Sequence, residues 1–422
     1  MSRHAYMCSR STGAAHQQER DVMDIKQEEI TTLHGLTRDE ASLLDSVRAA
    51  AEERPVSVVL PMLYQELQND ALDTIVSELN ACDFLKEVIV SLSADSQEQF
   101  EEVKQFFSRL DVPNMVMWCN GPEIQELLEE LRGEGLDYVT APGKGRDVWL
   151  AFGIATLRSY AIVVHDADIK SYTRMYPAKL AFPLLDPELD FKFNKGYYAR
   201  VNLEERQLYG RVFRLFLNPL LQALTEETKA ESDFIRFLRS FRYPLSGEFA
   251  LTSDIALDLD IPSDWGLEVG ILAEVYRNIT RKRICQTDLG FYDHKHQQIG
   301  DPSEGLIKMS RDIFKTLLRA LIETDHIQIS ETFLTSLQVV YQRRAQDCIR
   351  QYNADAQLNG LNFDRHMEET LAERFSDNLL DAGTAYLKKP VGTRLPDWLR
   401  AMSAKKKIRN RLLDIVLDQN DL

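Results

Sequence analysis

Apolar positions follow two patterns along the chain. From Val56 to Val164, apolar runs of strand length alternate with stretches in which apolar residues recur every three to four positions. Val56-Ser57-Val58-Val59-Leu60, stopped by Pro61, reads as a buried strand, and residues 87–92, 114–118, 138–140 and 160–164 read likewise. Between them, residues 70–79, with Leu72, Ile75, Val76 and Leu79 on one face, and residues 97–110, 122–132 and 148–159 carry the helical period. Strands and helices alternating at this spacing predict parallel βαβ units. The expected fold is therefore an α/β layered domain with a nucleotide site at the C-terminal ends of its strands.

The flanks differ. Residues 1–24 are polar and charged and read as a flexible segment. Residues 30–53 read as a helix, with Leu43, Leu44 and Val47 at helix spacing and Thr37 as its cap ahead of Asp39 and Glu40. After about Ser303 the strands mostly disappear, and residues 306–323, 330–353 and 363–387 show helical periodicity. A final amphipathic helix is expected to carry the basic run Lys405-Lys406-Lys407-Ile408-Arg409 as a solvated face. The division that follows is an N-terminal segment and helix over 1–53, an α/β domain over 54–302 with halves at about 54–170 and 171–302, and a helical region over 303–422.

Charge narrows the function. Fifty basic against 66 acidic residues leave a net charge of −16, which argues against a general binder of nucleic acid or anionic membrane. Cys8, Cys82, Cys119, Cys285 and Cys348 are scattered and form no CxxC pair, so they read as reduced thiols with no zinc site. No apolar run approaches the roughly 18–20 residues of a membrane span, and no apolar leader core is present. A cytoplasmic protein is expected.

The most informative stretch is Tyr160-Ala161-Ile162-Val163-Val164-His165-Asp166-Ala167-Asp168. An apolar strand delivers two carboxylates, two positions apart, to its C-terminal end, where alternation points both to one side. Such oxygen ligands hold Mg²⁺ or Mn²⁺, which bridges the phosphates of a nucleotide diphosphate. The same pair also opens phosphatases with an aspartyl nucleophile. Their motif, however, sits at the first strand and is followed by Thr or Val, whereas here several strands precede it and Ile169-Lys170 follows. Just upstream, Ala141-Pro142-Gly143-Lys144-Gly145-Arg146-Asp147 leads into a helix; its glycines permit close approach to a phosphate or sugar, and Lys144 adds charge. Pro61-Met62-Leu63-Tyr64-Gln65-Glu66, after the first strand, is placed to line a base and ribose pocket.

Taken in order, these stretches resemble a GT-A (Rossmann-like, nucleotide-diphospho-sugar) glycosyltransferase. Tyr243-Pro244-Leu245-Ser246-Gly247-Glu248-Phe249-Ala250, then Trp265-Gly266-Leu267-Glu268-Val269-Gly270, then Asp288-Leu289-Gly290-Phe291-Tyr292-Asp293-His294-Lys295-His296 resemble the glucosyl-3-phosphoglycerate synthase family. So does Tyr209-Gly210-Arg211-Val212-Phe213-Arg214 followed by Asn218-Pro219-Leu220-Leu221. The resemblance runs from about Arg54 to Gly300.

It implies transfer of glucose from an NDP-glucose to the 2-hydroxyl of 3-phosphoglycerate with retention, a step toward the compatible solute glucosylglycerate. It implies Mg²⁺ or Mn²⁺ held by Asp168 and His294. It puts Pro61, Met62, Leu63, Glu66, Ser91, Lys144, Asp166 and Ala167 at the donor, and Gly210, Arg211, Arg214, Gly247, Glu248 and His296 at the acceptor. Asp168, Glu268 and Arg211 are the implied catalytic residues. No carboxylate nucleophile stands out, so a front-face route is expected, in which the leaving phosphate accepts the acceptor's proton.

The chain departs from the family pattern in three places: Phe213 stands where a phosphate-binding Thr is expected, His296 where an Asn is expected, and PMLYQE replaces PALNEE. Arg214 and Lys295 are the candidates to compensate. A related transferase with mannose or another acceptor, an aspartyl phosphatase and a non-catalytic nucleotide-sugar sensor are the alternatives. A homodimer is expected from the apolar positions of the helical region.

Overall fold

A computed structural model describes residues 27–202, 204–229, 231–293, 305–390 and 394–422. Residues 1–24, His294, Lys295 and His296 therefore lie outside the described residues. The first half of the chain forms β1 (Thr31–Leu33), α1 (Glu40–Ala51), β2 (Val56–Leu63), α2 (Ala71–Asn80), β3 (Leu85–Ser93), α3 (Gln97–Phe107), β4 (Asn114–Trp118), α4 (Pro122–Gly133), α5 (Lys144–Arg158), β5 (Ala161–Val164) and α6 (Met175–Leu185). Then come β6 (Phe193–Asn202), β7 (Gln207–Leu208), a π-helical segment (Val212–Leu217), α7 (Asn218–Glu227), α8 (Asp233–Ser240), β8 (Phe249–Thr252), α9 (Ser253–Leu257), α10 (Leu267–Asn278) and β9 (Ile284–Tyr292). The last part is helical: α11 (Gly305–Asp325), α12 (Glu331–Leu358), α13 (Arg365–Lys388), α14 (Trp398–Ala404) and α15 (Ile408–Gln419).

The sheet runs β1-β9-β6-β8-β5-β2-β3-β4, with β7 on β6. Its strands are parallel except β8, which is antiparallel to β5 and β6, and β7, which is antiparallel to β6. Both faces are covered. Val58, Leu60, Val88 and Val90 enter one core, while Val59, Ile89, Ile162 and Val164 enter the other. Strands buried on both faces need apolar residues on both, which is why their runs are nearly continuous.

Two registers place the site. Pro61 pairs with Ser91, so the ends of β2 and β3 lie side by side. Val164 pairs with Phe249 in the antiparallel ladder. The turn before β8, Gly247-Glu248, therefore sits against His165-Asp166 just beyond β5.

The structure corrects several local expectations. Residues 138–140 form no strand but a turn, closed by Val139 N–H to Leu136 O at 3.4 Å and Ala141 N–H to Tyr138 O at 3.1 Å. Only Leu136 and Val139 there are buried apolar residues, too few to seat a strand. The stretch 30–53 begins as β1, which extends the sheet beside β9, before α1 starts at Glu40. The cap of α1 is Asp39, whose carboxylate accepts from Ser42 N–H, rather than Thr37. Helix α5 begins at Lys144, four residues earlier than Val148.

The basic run does not ride one helix either. It spans the break between α14 and α15, with Lys407 at φ 63°. Nor is it simply a solvated face: Lys405 pairs with Glu130 of α4, and Arg409 Nη1 donates to Thr156 Oγ1 at 2.9 Å. Strands β6, β8 and β9 lie in the stretch whose apolar pattern did not resolve into strands.

The helical region is joined to the sheet domain by specific contacts. Trp398 stacks on Trp149 of α5 at 4.1 Å, and each indole N–H donates to a backbone carbonyl of the other segment, Trp149 to Pro396 O and Trp398 to Trp149 O, both at 2.8 Å. Asn420 bonds both backbone groups of Val116, at 2.9 and 2.8 Å, and so covers the outer edge of β4.

Candidate active site

A cavity opens at the ends of β5 and β6. It is lined by Lys144, Asp166, Asp168 and Glu268 on one side and by Arg200, Tyr209, Gly210, Arg211 and Tyr243 on the other. Val212, Leu245, Trp265 and three residues of α11, Leu306, Met309 and Ile313, add an apolar wall.

The carboxylate side follows from the β5 sequence. After Val164 the chain leaves the sheet and presents Asp166 and Asp168, both half-buried, while the intervening Ala167 packs inward. Lys144 Nζ lies 2.6 Å from Asp166 Oδ1 and 3.2 Å from Glu268 Oε1. Burial works against the charge on this lysine, but Asp166 and Glu268 outweigh it and hold its pKa above the ordinary value. Burial, followed by the charges of Asp166, Glu66 and Glu248, pushes the Asp168 carboxyl up to about 8. These carboxylates crowd one another and have Lys144 as their near cation.

Gly247 is part of the same arrangement. A Cβ there would lie 2.4 Å from Asp166 Oδ2, so only glycine lets the β8 turn close on this carboxylate. The expected role of Gly143 and Gly145 changes. A Cβ on Gly143 would meet Ser263 O at 2.1 Å, and one on Gly145 would meet Pro262 O at 1.9 Å. Gly145 N–H also donates to Ser263 O at 3.2 Å. Close backbone approach here is to residues 262–263. It brings the segment leading to Trp265 and Glu268 against Lys144.

Glu248 lies beneath the cavity and is wholly buried. It accepts from Tyr198 Oη at 2.7 Å, Tyr292 Oη at 2.7 Å and Ser246 Oγ at 3.1 Å. Burial and then the Asp166 charge raise its pKa, while the two tyrosines oppose the rise. Lys195, also buried, donates to Ser246 O at 2.6 Å, and burial pushes its pKa down to about 8. Together these groups set the turn that carries Gly247.

The expected donor residues are near neighbours. Pro61, Met62 and Leu63 end β2, Glu66 follows in a short 3₁₀ turn (Tyr64–Gln68), and Ser91 faces Pro61 across the ladder. The Ser91 hydroxyl is buried without a hydrogen-bond partner among the described residues. Of the expected acceptor residues, Gly210 takes φ +74° and turns Arg211 into the cavity. The buried Nε of Arg211 likewise has no partner among the described residues. Such an unmet donor in a cleft suits an anionic ligand.

Arg214 is not brought to the cavity. Its guanidinium forms a bidentate pair with Glu368 of α13 at 2.7 and 2.8 Å and donates to Tyr209 O and Leu208 O at 2.8 and 3.2 Å. It therefore holds the loop at Leu208 and Tyr209 from behind, and its side chain is not part of the cavity lining next to Phe213. His294 and His296 lie outside the described residues. Among the described residues no group of three or more His, Cys, Asp or Glu is arranged to hold a metal.

Sequence reasoning missed Arg200, Tyr243, Trp265 and the α11 wall as cavity residues. A signal for Arg200 was present: β6 reads FNKGYYARVN, with two cations and no carboxylate, in a chain with surplus acids.

A doubly covered, largely parallel sheet with paired carboxylates beyond an inner strand, and an arginine-lined wall opposite, defines a GT-A type glycosyltransferase. No family model matches the chain. Among curated proteins it is 48% identical over 393 residues to the glucosyl-3-phosphoglycerate synthase of Methanococcoides burtonii, covering 93% of this chain and 97% of that one. It is 39% identical over 397 residues to the enzyme of the same name from Persephonella marina, with the same coverage of 93% and 97%. The chain belongs to the glucosyl-3-phosphoglycerate synthase family.

Solved structures of a Mycobacterium tuberculosis member share the fold. One in complex with phosphoglyceric acid gives a TM-score of 0.52 at 24% identity, covering 69% of this chain and 88% of that chain. One in complex with Mg²⁺ and UDP gives 0.50 at 25%, covering 69% and 86%. Family membership sets aside the aspartyl-phosphatase and sensor readings.

Proposed function

We infer that the chain transfers glucose from a nucleoside diphosphate-glucose to 3-phosphoglycerate, giving glucosyl-3-phosphoglycerate with retention at the anomeric carbon. The observation that carries this is a single cleft with two unlike ends. One end is a carboxylate cluster beside Lys144, fit for a metal-bound diphosphate; the other is an arginine wall, fit for a phosphorylated acid.

In this reading Pro61, Met62, Leu63, Glu66 and Ser91 surround the base and ribose, and Asp166, Ala167 and Lys144 hold the rest of the donor. Asp168, with His294, would hold Mg²⁺ or Mn²⁺, and the burial and carboxylate crowding that raise the Asp168 pKa fit a site completed by a cation. When bound, the ion neutralises charge on the departing diphosphate. Lys144 holds Asp166 and Glu268 in place, and Glu268 orients the sugar hydroxyls. Gly210, Arg211, Gly247, Glu248 and His296 form the acceptor side, where Gly247 and Glu248 act by shaping the turn. Retention follows a front-face course, in which the leaving phosphate oxygen takes the proton of the acceptor hydroxyl, so rate comes from positioning and charge.

The product leads to glucosylglycerate as a compatible solute. The free, buried thiols of Cys82, Cys119, Cys285 and Cys348 support a reducing, cytoplasmic setting, and no described helix is long and apolar enough to cross a membrane. The division at about residues 53 and 302 and a homodimer belong to the same proposal.

The test is product analysis. NMR of the purified product should show an α-O-glycosidic bond from the glucose anomeric carbon to the 2-hydroxyl oxygen of 3-phosphoglycerate, and Asp168→Asn should lower its formation about 10²-fold or more. An inverted anomer, or full activity of the variant, would contradict the mechanism.

A further inference from the structure

We propose that Arg200 is a second acceptor-binding residue, gripping the acceptor's phosphate together with Arg211. This rests on the reading of 3-phosphoglycerate as acceptor.

Arg200 ends the ladder of β6 with β9, paired with Tyr292, and its side chain lines the cavity. Its guanidinium lies over the rings of Tyr243 and Tyr292 at 5.8 and 5.9 Å, and Nη1 donates to Tyr243 Oη at 2.7 Å. That aromatic bed is itself fixed. Tyr292 stacks on Tyr198 at 3.9 Å, and both hydroxyls end on buried Glu248. The guanidinium is thus oriented without a carboxylate, and among the described residues it forms no ion pair. Several other shielded arginines of this acidic chain do have one, among them Arg146 with Asp147, Arg158 with Glu87, Arg214 with Glu368 and Arg277 with Glu274. A fixed arginine whose remaining N–H donors face a cleft suits a phosphate.

The backbone brings Arg200 and Arg211 to one place. Tyr209 N–H donates to Arg200 O at 2.9 Å, and a Cβ on Gly210 would stand 3.5 Å from Arg200 Cδ, so the two arginines flank Gly210. Phe213, standing where a hydroxyl is expected, packs on Tyr243 at 5.0 Å, the same ring that seats Arg200. Arg214 is occupied by Glu368. The contact that Phe213 does not make is supplied by Arg200.

The experiment compares wild type, Arg200→Gln and Arg200→Lys. It uses 3-phosphoglycerate, glycerol 3-phosphate (no carboxylate) and glycerate (no phosphate) as acceptors, and calorimetry with inorganic phosphate. Arg200→Gln should raise KM for both phosphorylated acceptors about 10- to 100-fold, with donor KM within about threefold and glycerate unaffected. Arg200→Lys, which keeps the charge but loses the fork, should fall between. Donor binding by each variant reports its fold. Unchanged KM for the phosphorylated acceptors, or a penalty confined to glycerate, would overturn the assignment. If the wild type does not use 3-phosphoglycerate, the acceptor reading fails. In that case inorganic phosphate bound by the wild type and lost in Arg200→Gln still supports the anion site, and phosphate bound equally by both overturns it.

Discussion

At Gly247 a single hydrogen separates a working site from a blocked one, because any Cβ would overlap the Asp166 carboxylate. Gly247→Ala is expected to displace Asp166 from Lys144 and lower kcat/KM about 100-fold, as ångström-scale misplacement does. The melting temperature should move little, since the cleft side is open to relaxation. Steady-state kinetics and a thermal melt of the same sample check both parts. The residues that chemistry marks were legible in the chain: Asp166, Asp168, Lys144 and Glu268 meet in one cleft, as a carboxylate pair at a strand end leads one to expect. Arg214 was not legible, because its direction depends on Glu368, 154 positions away, and no local pattern reports such a partner. Arg200 differs: the two cations of β6 were a signal for it, but among the described residues it forms no ion pair, so its place on the cleft wall depends on Tyr243 and Tyr292, far from it in sequence.

Between elements, the pair Arg214–Glu368 ties the acceptor loop to α13, with both side chains buried. Removing one partner leaves the other charged and unpaired, so Glu368→Ala should cost about 3–5 kcal/mol of stability. It should also raise KM for the acceptor, because Arg214 holds the carbonyls of Leu208 and Tyr209; denaturant melts and acceptor kinetics read the two effects. Helix α11 carries a second sensitive contact. Burial, then the Asp264 charge, raises the Asp312 carboxyl from 3.8 to about 6. The folded state therefore binds this proton more tightly than the unfolded one. The resulting stabilisation is full below about pH 4 and is lost as pH rises through 6. Asp312→Asn should thus stabilise the protein at pH 7.5, by about 1 kcal/mol after solvent screening, with the gain fading toward pH 4. Thermal melts across that range decide it; an equal gain at all pH values would contradict the assignment. The element pattern itself was readable where strands are buried on both faces, from β2 to β5. It failed at residues 138–140, where a short apolar sequence lacks neighbours to pair with, at β6 and β9, whose polar and aromatic residues break a simple period, and at β8, whose four residues are too short a run to stand out.

On the scale of the molecule, the helical region completes the catalytic domain rather than hanging beside it. It supplies Leu306, Met309 and Ile313 to the cleft, seats Trp398 on Trp149, and closes the edge of β4 with Asn420. An uncovered edge strand invites pairing with another chain. Deleting residues 408–422 should therefore cause self-association, seen by light scattering, even where secondary structure survives. Such long-range closure cannot be read from local periodicity, which identified the helices but not what they cover. The most direct measurement is release of nucleoside diphosphate from UDP-, ADP- or GDP-glucose with Mg²⁺, with and without 3-phosphoglycerate. Release that requires 3-phosphoglycerate is the predicted result. Release unaffected by 3-phosphoglycerate, or none with any of the three donors, would contradict the account.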